Sequence, residues 1–449
     1  MGRRRRASVA AVTAVAATMG GFASTSASAD PASGPSRTIV VDDDRAQCAK
    51  ADHTTIAAAL AEAVDGDRVR VCAGRYAERL VITDSIELRG DPSRAESLPC
   101  LDSVPAAPDD LKGAGVAVLE PPPGLVGPLL RIEANDVEVA GLVVQGKESG
   151  VVAEPVPGAT LYDPAVQVDE STSGVRLHHN LFRLNTLAVE IGGSGPAPQR
   201  VDHNCFGDND FGVANQRYLL TGLELDHNTS VRTLVVTYEV GWFYRAVTKA
   251  DVHHNTAVET ATIVVALSNN NGSIARDNDI LGGSIRVIGG RDVVVRHNRI
   301  SDNDSVRANG GVVVNPSTNQ PGSVGVTVEE NVITSLSGTP GTGIFVSLNS
   351  RSTGLVIRRN EVTDNRGEGI GLGIGVTGVR IEDNTVLRNA VLGIGTRLST
   401  SGNTIAGNTV LGNGVDARDQ AWATAPASAP PNAWVGNTCV TDDPAGLIC

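Results

Sequence analysis

Apolar and polar positions alternate in short runs along most of this 449-residue chain, and from Val166 onward the runs repeat. The repeat is plainest in Gly174-Val175-Arg176-Leu177-His178-His179-Asn180-Leu181-Phe182-Arg183-Leu184-Asn185. Its marker is an Asn, which returns at Asn180, Asn204, Asn228, Asn255, Asn278, Asn298, Asn331, Asn360, Asn384, Asn408 and Asn437. Intervals are mostly 20 to 29 residues, 24 being commonest, with one of 33. Aliphatics fall three before the marker (Leu177, Val201, Leu225, Val252, Val295, Val328, Ile357, Ile381). Apolar residues fall two after it (Phe182, Phe206, Ile280, Ile300, Ile333, Val362, Val386, Val410). A second Asn follows five after it at Asn185, Asn209, Asn303, Asn365, Asn389 and Asn413.

A period near 24 with three short alternating runs predicts one coil of three strands per repeat. Such a coil cannot bury its inner face alone. Stacking coils about 4.8 Å apart gives every strand a parallel partner and builds one aliphatic core. The marker Asn falls where the chain bends, so its amide can serve turn backbone and bond to the equivalent Asn one coil away. The expected fold is all-β, a right-handed parallel β-helix solenoid with an N-terminal capping helix. Leucine-rich and propeller repeats have other consensus and length.

Before the regular coils the pattern varies. Thr38–Val41 reads as a strand, and a helix over 55–64, capped by Thr54, places Ile56, Leu60, Ala63 and Val64 on one face. Asp65-Gly66-Asp67 stops it, and strands follow at 69–72, 80–82 and 86–88. One amphipathic helix ahead of strands alone predicts a cover for the open end of the stack. Residues 91–128 are Pro-rich and read as an irregular excursion. The organisation is thus a cap over 38–90, the excursion, regular coils over 166–413 and a tail over 414–449, all one domain over 38–449.

The chain opens with Arg3-Arg4-Arg5-Arg6, an Ala/Val-rich run and Ala27-Ser28-Ala29. This reads as a signal peptide over 1–29, followed by a flexible lead-in over 30–37. Paired arginines leave both Sec and Tat export open, Sec placed first. No later run has the ~18 apolar residues of a transmembrane helix, so the expected location is secreted or extracellular. Net charge is −13, and near −17 without residues 1–29, which disfavours nucleic acid and anionic membranes as partners. Cys48, Cys72, Cys100, Cys205, Cys439 and Cys449 imply disulfides in an exported chain. Proximity favours Cys48–Cys72 and Cys439–Cys449, leaving Cys100–Cys205.

The marker pattern, with Thr55-Ile56-Ala57-Ala58-Ala59-Leu60, Gly66-Asp67-Arg68-Val69 and Gly74-Arg75-Tyr76-Ala77-Glu78, resembles the right-handed parallel β-helix (pectin-lyase-like) superfamily. Within it the chain is similar to secreted actinobacterial parallel β-helix repeat proteins, including the ending Trp434-Val435-Gly436-Asn437-Thr438-Cys439. The resemblance spans roughly residues 38–449. It implies the fold and leaves activity open, since the fold hosts lyases, hydrolases, esterases, epimerases and non-enzymes. The Asn-Thr-Asp, Gly-His-Gly and Arg-Ile-Lys set of polygalacturonases is missing, as are pectin methylesterase signatures. Of the epimerases' Asp-Pro-His-Asp only Asp163-Pro164 stands.

Two places carry candidate chemistry. Before the marker Asn stand His179, His203, His227, His254 and His297, with His178 and His253 beside them and Asp202, Asp226 and Asp251 near. A strip of imidazoles can bind a divalent metal or titrate near neutral pH. A straight column, however, offers ligands in a line and not around a point. We therefore read it as stacking in solvent and assign no metal site.

The stronger place is 211–249, with six of the chain's fourteen aromatics. Tyr218, Trp242 and Tyr244 are the candidate sugar platforms, since sugars present apolar C–H faces rimmed by hydroxyls. Alternation puts Glu190 and Glu239 outward, a candidate acid and base or nucleophile for a glycosidase. Alternatively Arg217, Arg245 or Lys249 acts as base beside a carboxylate-held Ca²⁺ in a uronate lyase. Ca²⁺ enters only on that route; otherwise the cofactor is open. A third feature, the Gly/aliphatic alternation at 367–375, reads either as the floor of a polymer groove or as a seat for the tail at 416–431. The expected function is a secreted carbohydrate-interacting protein with an extracellular polysaccharide as partner, acting as a polysaccharide lyase or glycoside hydrolase. The alternatives are a non-catalytic glycan-binding or cell-envelope structural protein and a sugar epimerase.

Overall fold

In a computed structural model the chain winds into a stack of parallel β-coils, a right-handed parallel β-helix. The structure describes residues 36–449 apart from 92–99, 101–114, 148–150, 153–160, 216–218, 234, 238–246, 259–262, 302–309, 315–321, 339–340, 348–351, 423–430 and 447. The expected signal peptide lies outside the described residues.

Each coil contributes to three faces. The first is a fifteen-stranded parallel sheet running from Thr38–Val41 through Arg176–His178 to Ala433–Val435. The second has thirteen strands, from Gly74–Ala77 to Thr409–Leu411. The third is split into six strands ending at Val235–Thr237 and eight beginning at Val265–Ser268. The split falls on the aromatic-rich stretch.

Register makes the core. On the first face Leu177 pairs with Val201, Val201 with Leu225, and Leu225 with Val252, all buried. On the second, Phe182 lies over Phe206 with ring centroids 5.1 Å apart. Stacking like on like keeps the bore of the coil constant, and each buried aliphatic contributes about 1.5–3 kcal/mol.

The marker Asn closes the corner between the first two faces. Asn228 donates through Nδ2 to Val201 O at 2.8 Å and Asn255 Oδ1 at 3.0 Å, while its own Oδ1 accepts from the backbone N of Asn204 at 3.0 Å. The same bonds run unbroken from Asn180 to Asn437. A second ladder joins Asn185 to Asn209, and another runs from Asn365 through Asn389 and Asn413 to Asp416. Buried turn amides and carbonyls thereby find partners where no strand can supply them.

The helix spans Ile56–Glu62, shorter than expected. Its cap is Thr55 and not Thr54: the Thr55 hydroxyl accepts from Ala58 N at 3.3 Å. The Glu78 carboxylate takes the amides of Ile56 and Ala57, each at 2.9 Å, and so fixes where the helix starts. Asp67 accepts from Val64 N, pulling the chain out of the helix, and Val64 is exposed instead of on the apolar face. Ile56 and Ala59 enter the main core, and the helix packs on Thr38–Val41, Arg68–Cys72 and Leu80–Ile82.

Winding resumes earlier than the Pro-rich composition predicts, because Ala117–Glu120 pairs with Gly74–Ala77 and with Leu142–Gln145. Outside the coil, Val116, Val118, Val143, Leu181 and Cys205 form a separate apolar patch against which Cys100 packs. The disulfides are Cys48–Cys72, Cys100–Cys205 and Cys439–Cys449.

The glycine-rich strand also has a packing role. Ile370, Leu372 and Ile394 do point into the core. A Cβ on Gly343, Gly369 or Gly393, though, would run into Val362, Val386 or Val410 respectively, core residues of the second face. These glycines let two faces close tightly at a corner. The start of the tail continues this strip, Ala417–Asp419 pairing with Leu392–Thr396 and that strand with Glu368–Leu372; residues 423–430 lie outside the described residues, and Ala433–Val435 adds the last strand to the first sheet, where Trp434 continues the row of Ile405. The Trp434 indole donates to Asp419 Oδ2 at 3.0 Å.

Candidate functional site

Of the eight residues singled out by the sequence, two lie among the described residues. Arg217, Tyr218, Glu239, Trp242, Tyr244 and Arg245 fall outside them. Glu190 sits on strand Leu187–Ile191, where Val189 and Ile191 point into the core and the Glu190 side chain faces out, as alternation requires. It is nonetheless 0 % exposed, so the expectation of a surface carboxylate is corrected. The reason is that the outer side of the third face is itself covered here, and Gln167 and Asn215 are buried with it. Glu190 Oε2 accepts from Gln167 Nε2 at 3.0 Å, one coil below. On the coil above, Phe211 meets Tyr162 with ring centroids 5.1 Å apart. Tyr162 arrives from a short antiparallel hairpin, Val151–Val152 with Leu161–Tyr162.

Lys249 is exposed, at a left-handed bend (φ 57°) between Val247–Thr248 and Asp251–His253. It lies two coils beyond Glu190, roughly 10 Å along the stack at ordinary strand spacing. The structure therefore does not bring the two together. Beneath this region the bore holds an apolar cavity of about 20 Å³ lined by residues including Val213, Leu225, Val252 and Leu267, room for at most one water. A ligand would have to meet the outer surface.

The histidine column is sharply ordered. His179, His203, His227, His254 and His297 all take left-handed φ angles of 53–54°, a conformation that His, Asn and Asp tolerate better than most side chains. The turn alone thus accounts for their residue type. Rings stack in succession: His179 on His203 at 5.0 Å and 12°, His203 on His227 at 4.9 Å and 5°, His227 on His254 at 5.0 Å and 4°. Asp277 then interrupts, and His297 pairs with Glu330 at 2.6 Å.

Each of the four stacked rings is held by the residue preceding it. Asp202 Oδ2 meets His203 Nδ1 at 2.9 Å, and Asp226 Oδ2 meets His227 Nδ1 at 2.8 Å. In the other two pairs a histidine replaces the aspartate, and the Nδ1 atoms face each other: 2.7 Å for His178 and His179, 2.8 Å for His253 and His254. His178 Nε2 in turn meets Glu138 Oε1 at 2.7 Å, and His253 Nε2 lies 3.5 Å from Glu224 Oε1.

Arginines anchor the acids diagonally across coils. Arg176 makes two 2.8 Å bonds to Asp202, and Arg200 bonds Asp226 at 3.1 and 3.0 Å. Burial alone would raise the Asp202 pKa, but hydrogen bonds from Arg176 and His203 and the charges of Arg176 and Arg200 outweigh it and bring it down to about 2. Asp226 is lowered as well, burial opposing and Arg200 and His227 prevailing. These diagonals were missed in the sequence. Their signal was the column two before the marker, where His178, Asp202, Asp226 and His253 stand in register.

Comparison with known proteins gives fold and little else. The profile of a family described as "Periplasmic copper-binding protein (NosD)" matches residues 221–429, under half of the chain. No curated protein matches. Among solved structures, the catalytic unit of a GH87 α-1,3-glucanase from Streptomyces thermodiastaticus is similar at TM-score 0.52 and 15 % identity, covering 86 % of this chain and 65 % of that one. The mannuronan C-5 epimerase AlgE4 A-module from Azotobacter vinelandii matches at 0.44 and 12 %, covering 91 % and 96 %. The periplasmic alginate epimerase AlgG matches at 0.44 and 14 %, covering 84 % and 77 %. The glucanase likeness establishes a shared parallel β-helix fold.

Proposed function

We propose that this is an exported protein that engages an extracellular polysaccharide on the outer third face, around Phe211. In its catalytic form it would be a polysaccharide lyase or glycoside hydrolase. The observation that carries the reading is the half-buried Tyr162–Phe211 aromatic pair on the outside of the third face, just before that sheet divides. An aromatic surface suits the C–H face of a sugar ring. The α-1,3-glucanase that shares the fold acts on a glycan, which agrees with this reading. Export is supported by the N-terminal charge and apolar pattern and by three disulfides. Among the described residues no helix is long and apolar enough to cross a membrane.

A polysaccharide-array screen of the full chain, read for binding and for released product, tests this. Binding to one polymer class that falls at least tenfold in Phe211→Ala is the expected result. Retained binding without product in the parent protein would make it a non-catalytic binder. Absence of any polymer affinity would contradict the proposal.

A further inference from the structure

The histidine column is a ridge whose charge changes sign with its protons. A carboxylate can only accept, so Nδ1 of His203 and Nδ1 of His227 each carry the hydrogen that faces Asp202 and Asp226. Both rings are nearly half exposed, and among the described residues their Nε2 atoms make no hydrogen bond. His254, also exposed, continues the row, the three rings lying parallel within 5° and 4.9 to 5.0 Å apart. A proton on Nε2 therefore adds charge to His203 and His227 without breaking the bond that orients either ring. On the first face beside them each aspartate is matched by an arginine: Asp202 by Arg176, Asp226 by Arg200 and Asp251 by Arg276. Glu224 is the acid left over, 3.6 Å from Arg200 and 3.5 Å from His253. Across the bend, Leu181, Cys205, Thr229 and Thr256 open the second-face strands and carry no charge. At the two ends Glu138 is taken up by His178, and Asp277 by Arg276 and, at 3.5 Å, by His297. Over the three rings the ridge is thus negative by one charge when they are neutral and positive by two when they are protonated.

We propose that this ridge is an acid-switched binding surface for an anionic polysaccharide, a linear polyuronate lying along the stack with its carboxylates against the protonated Nε2 edges of His203, His227 and His254. Imidazole is the side chain whose charge ordinarily changes between pH 5 and 8, while uronate carboxyls remain largely ionised at about pH 5. The rest of the chain is acidic and repels a polyanion, so the sign of the ridge decides whether one is held. A line of donors, which cannot surround a point, does fit a line of acceptors. In an extended polyuronate one carboxylate recurs with each sugar ring, an interval of the same order as the spacing of the imidazoles. A duplex strand places its phosphates every ~3.4 Å along the axis, out of step with the rings. Three like charges in a row repel one another, and carboxylates set against them offset that repulsion. Polymer binding and proton uptake therefore strengthen each other.

The test is calorimetry of the full chain with a soluble polygalacturonate, an uncharged glucan and duplex DNA, at about pH 5 and about pH 8. The expected result is polygalacturonate bound at least tenfold more tightly at the lower pH, with net proton uptake when the titration is repeated in buffers of different ionisation enthalpy. Added salt should weaken that binding. Asn is the replacement of choice for the rings, because it removes the imidazole yet tolerates the left-handed bend. The triple variant His203→Asn/His227→Asn/His254→Asn should lose the difference between the two pH values. Glu224→Gln keeps every ring and removes the unmatched acid, so it should strengthen binding several-fold near pH 8. Phe211→Ala should leave the pH difference in place, which separates this ridge from the third-face proposal. Equal affinity at both pH values, an equal acid gain for the uncharged glucan, a folded triple variant that keeps the gain, or no effect of Glu224→Gln would overturn the surface. Tighter binding of duplex DNA than of polygalacturonate at the lower pH would overturn its partner.

Discussion

At the residue scale the stability of the corners rests on asparagine. Removing the amide of Asn228 leaves Val201 O and the Asn204 amide without their partners inside the stack. An unmet buried group costs about 1–3 kcal/mol, so Asn228→Ala should lower the unfolding free energy by about 2–4 kcal/mol, measured by urea denaturation. Asp202 makes a separate prediction. Its folded pKa, about 2, lies below the unfolded value of 3.8, so its stabilising contribution is complete above pH 4 and is lost as pH falls through 2. Parent and Asp202→Asn should differ by about 2 kcal/mol at pH 7, and the gap should close between pH 4 and 2. The Asn and His columns were legible in the sequence because repetition announces them. Burial of Glu190 was not, because alternation reports which way a side chain points and not what lies over it.

At the element scale glycine and capping set the shape of each coil. Gly369 sits where a Cβ would run into Val386 and approach Gly393 O at 2.7 Å. Gly369→Ala should cost about 1–3 kcal/mol in urea denaturation through overpacking. Gly378→Ala, with open space around it, should show only the cost of its left-handed φ of 70°, about 1–2 kcal/mol. Enthalpies of the two variants need not agree, but their midpoints should rank in that order. Alternation of Gly with Ile and Leu did reveal which residues point inward. It concealed which glycines are required, since that depends on how closely the second face approaches. The helix was similarly half-legible: its existence followed from the 3.6-residue pattern, while its ends were decided by Glu78 and Asp67, 22 and 3 residues from the amides they hold.

At the scale of the whole molecule the solenoid is nearly one-dimensional, each coil supported by its two neighbours. Its first strand, Thr38–Val41, is the end of a fifteen-stranded sheet. We propose that helix Ile56–Glu62 shields this end. Ile56→Asp should then raise the oligomer fraction in light scattering, as exposed strand edges pair between molecules. The coil period disclosed the architecture almost entirely, because one repeated unit determines all its neighbours. The proposed glycan site lies next to where the third sheet divides, and there the residues obey no pattern that spacing can report. The most direct measurement is the affinity and turnover of the full chain on a polysaccharide array, compared with Phe211→Ala. Selective binding that falls at least tenfold with that single change is the predicted result. A parent chain that neither binds nor cleaves any polymer would contradict the account.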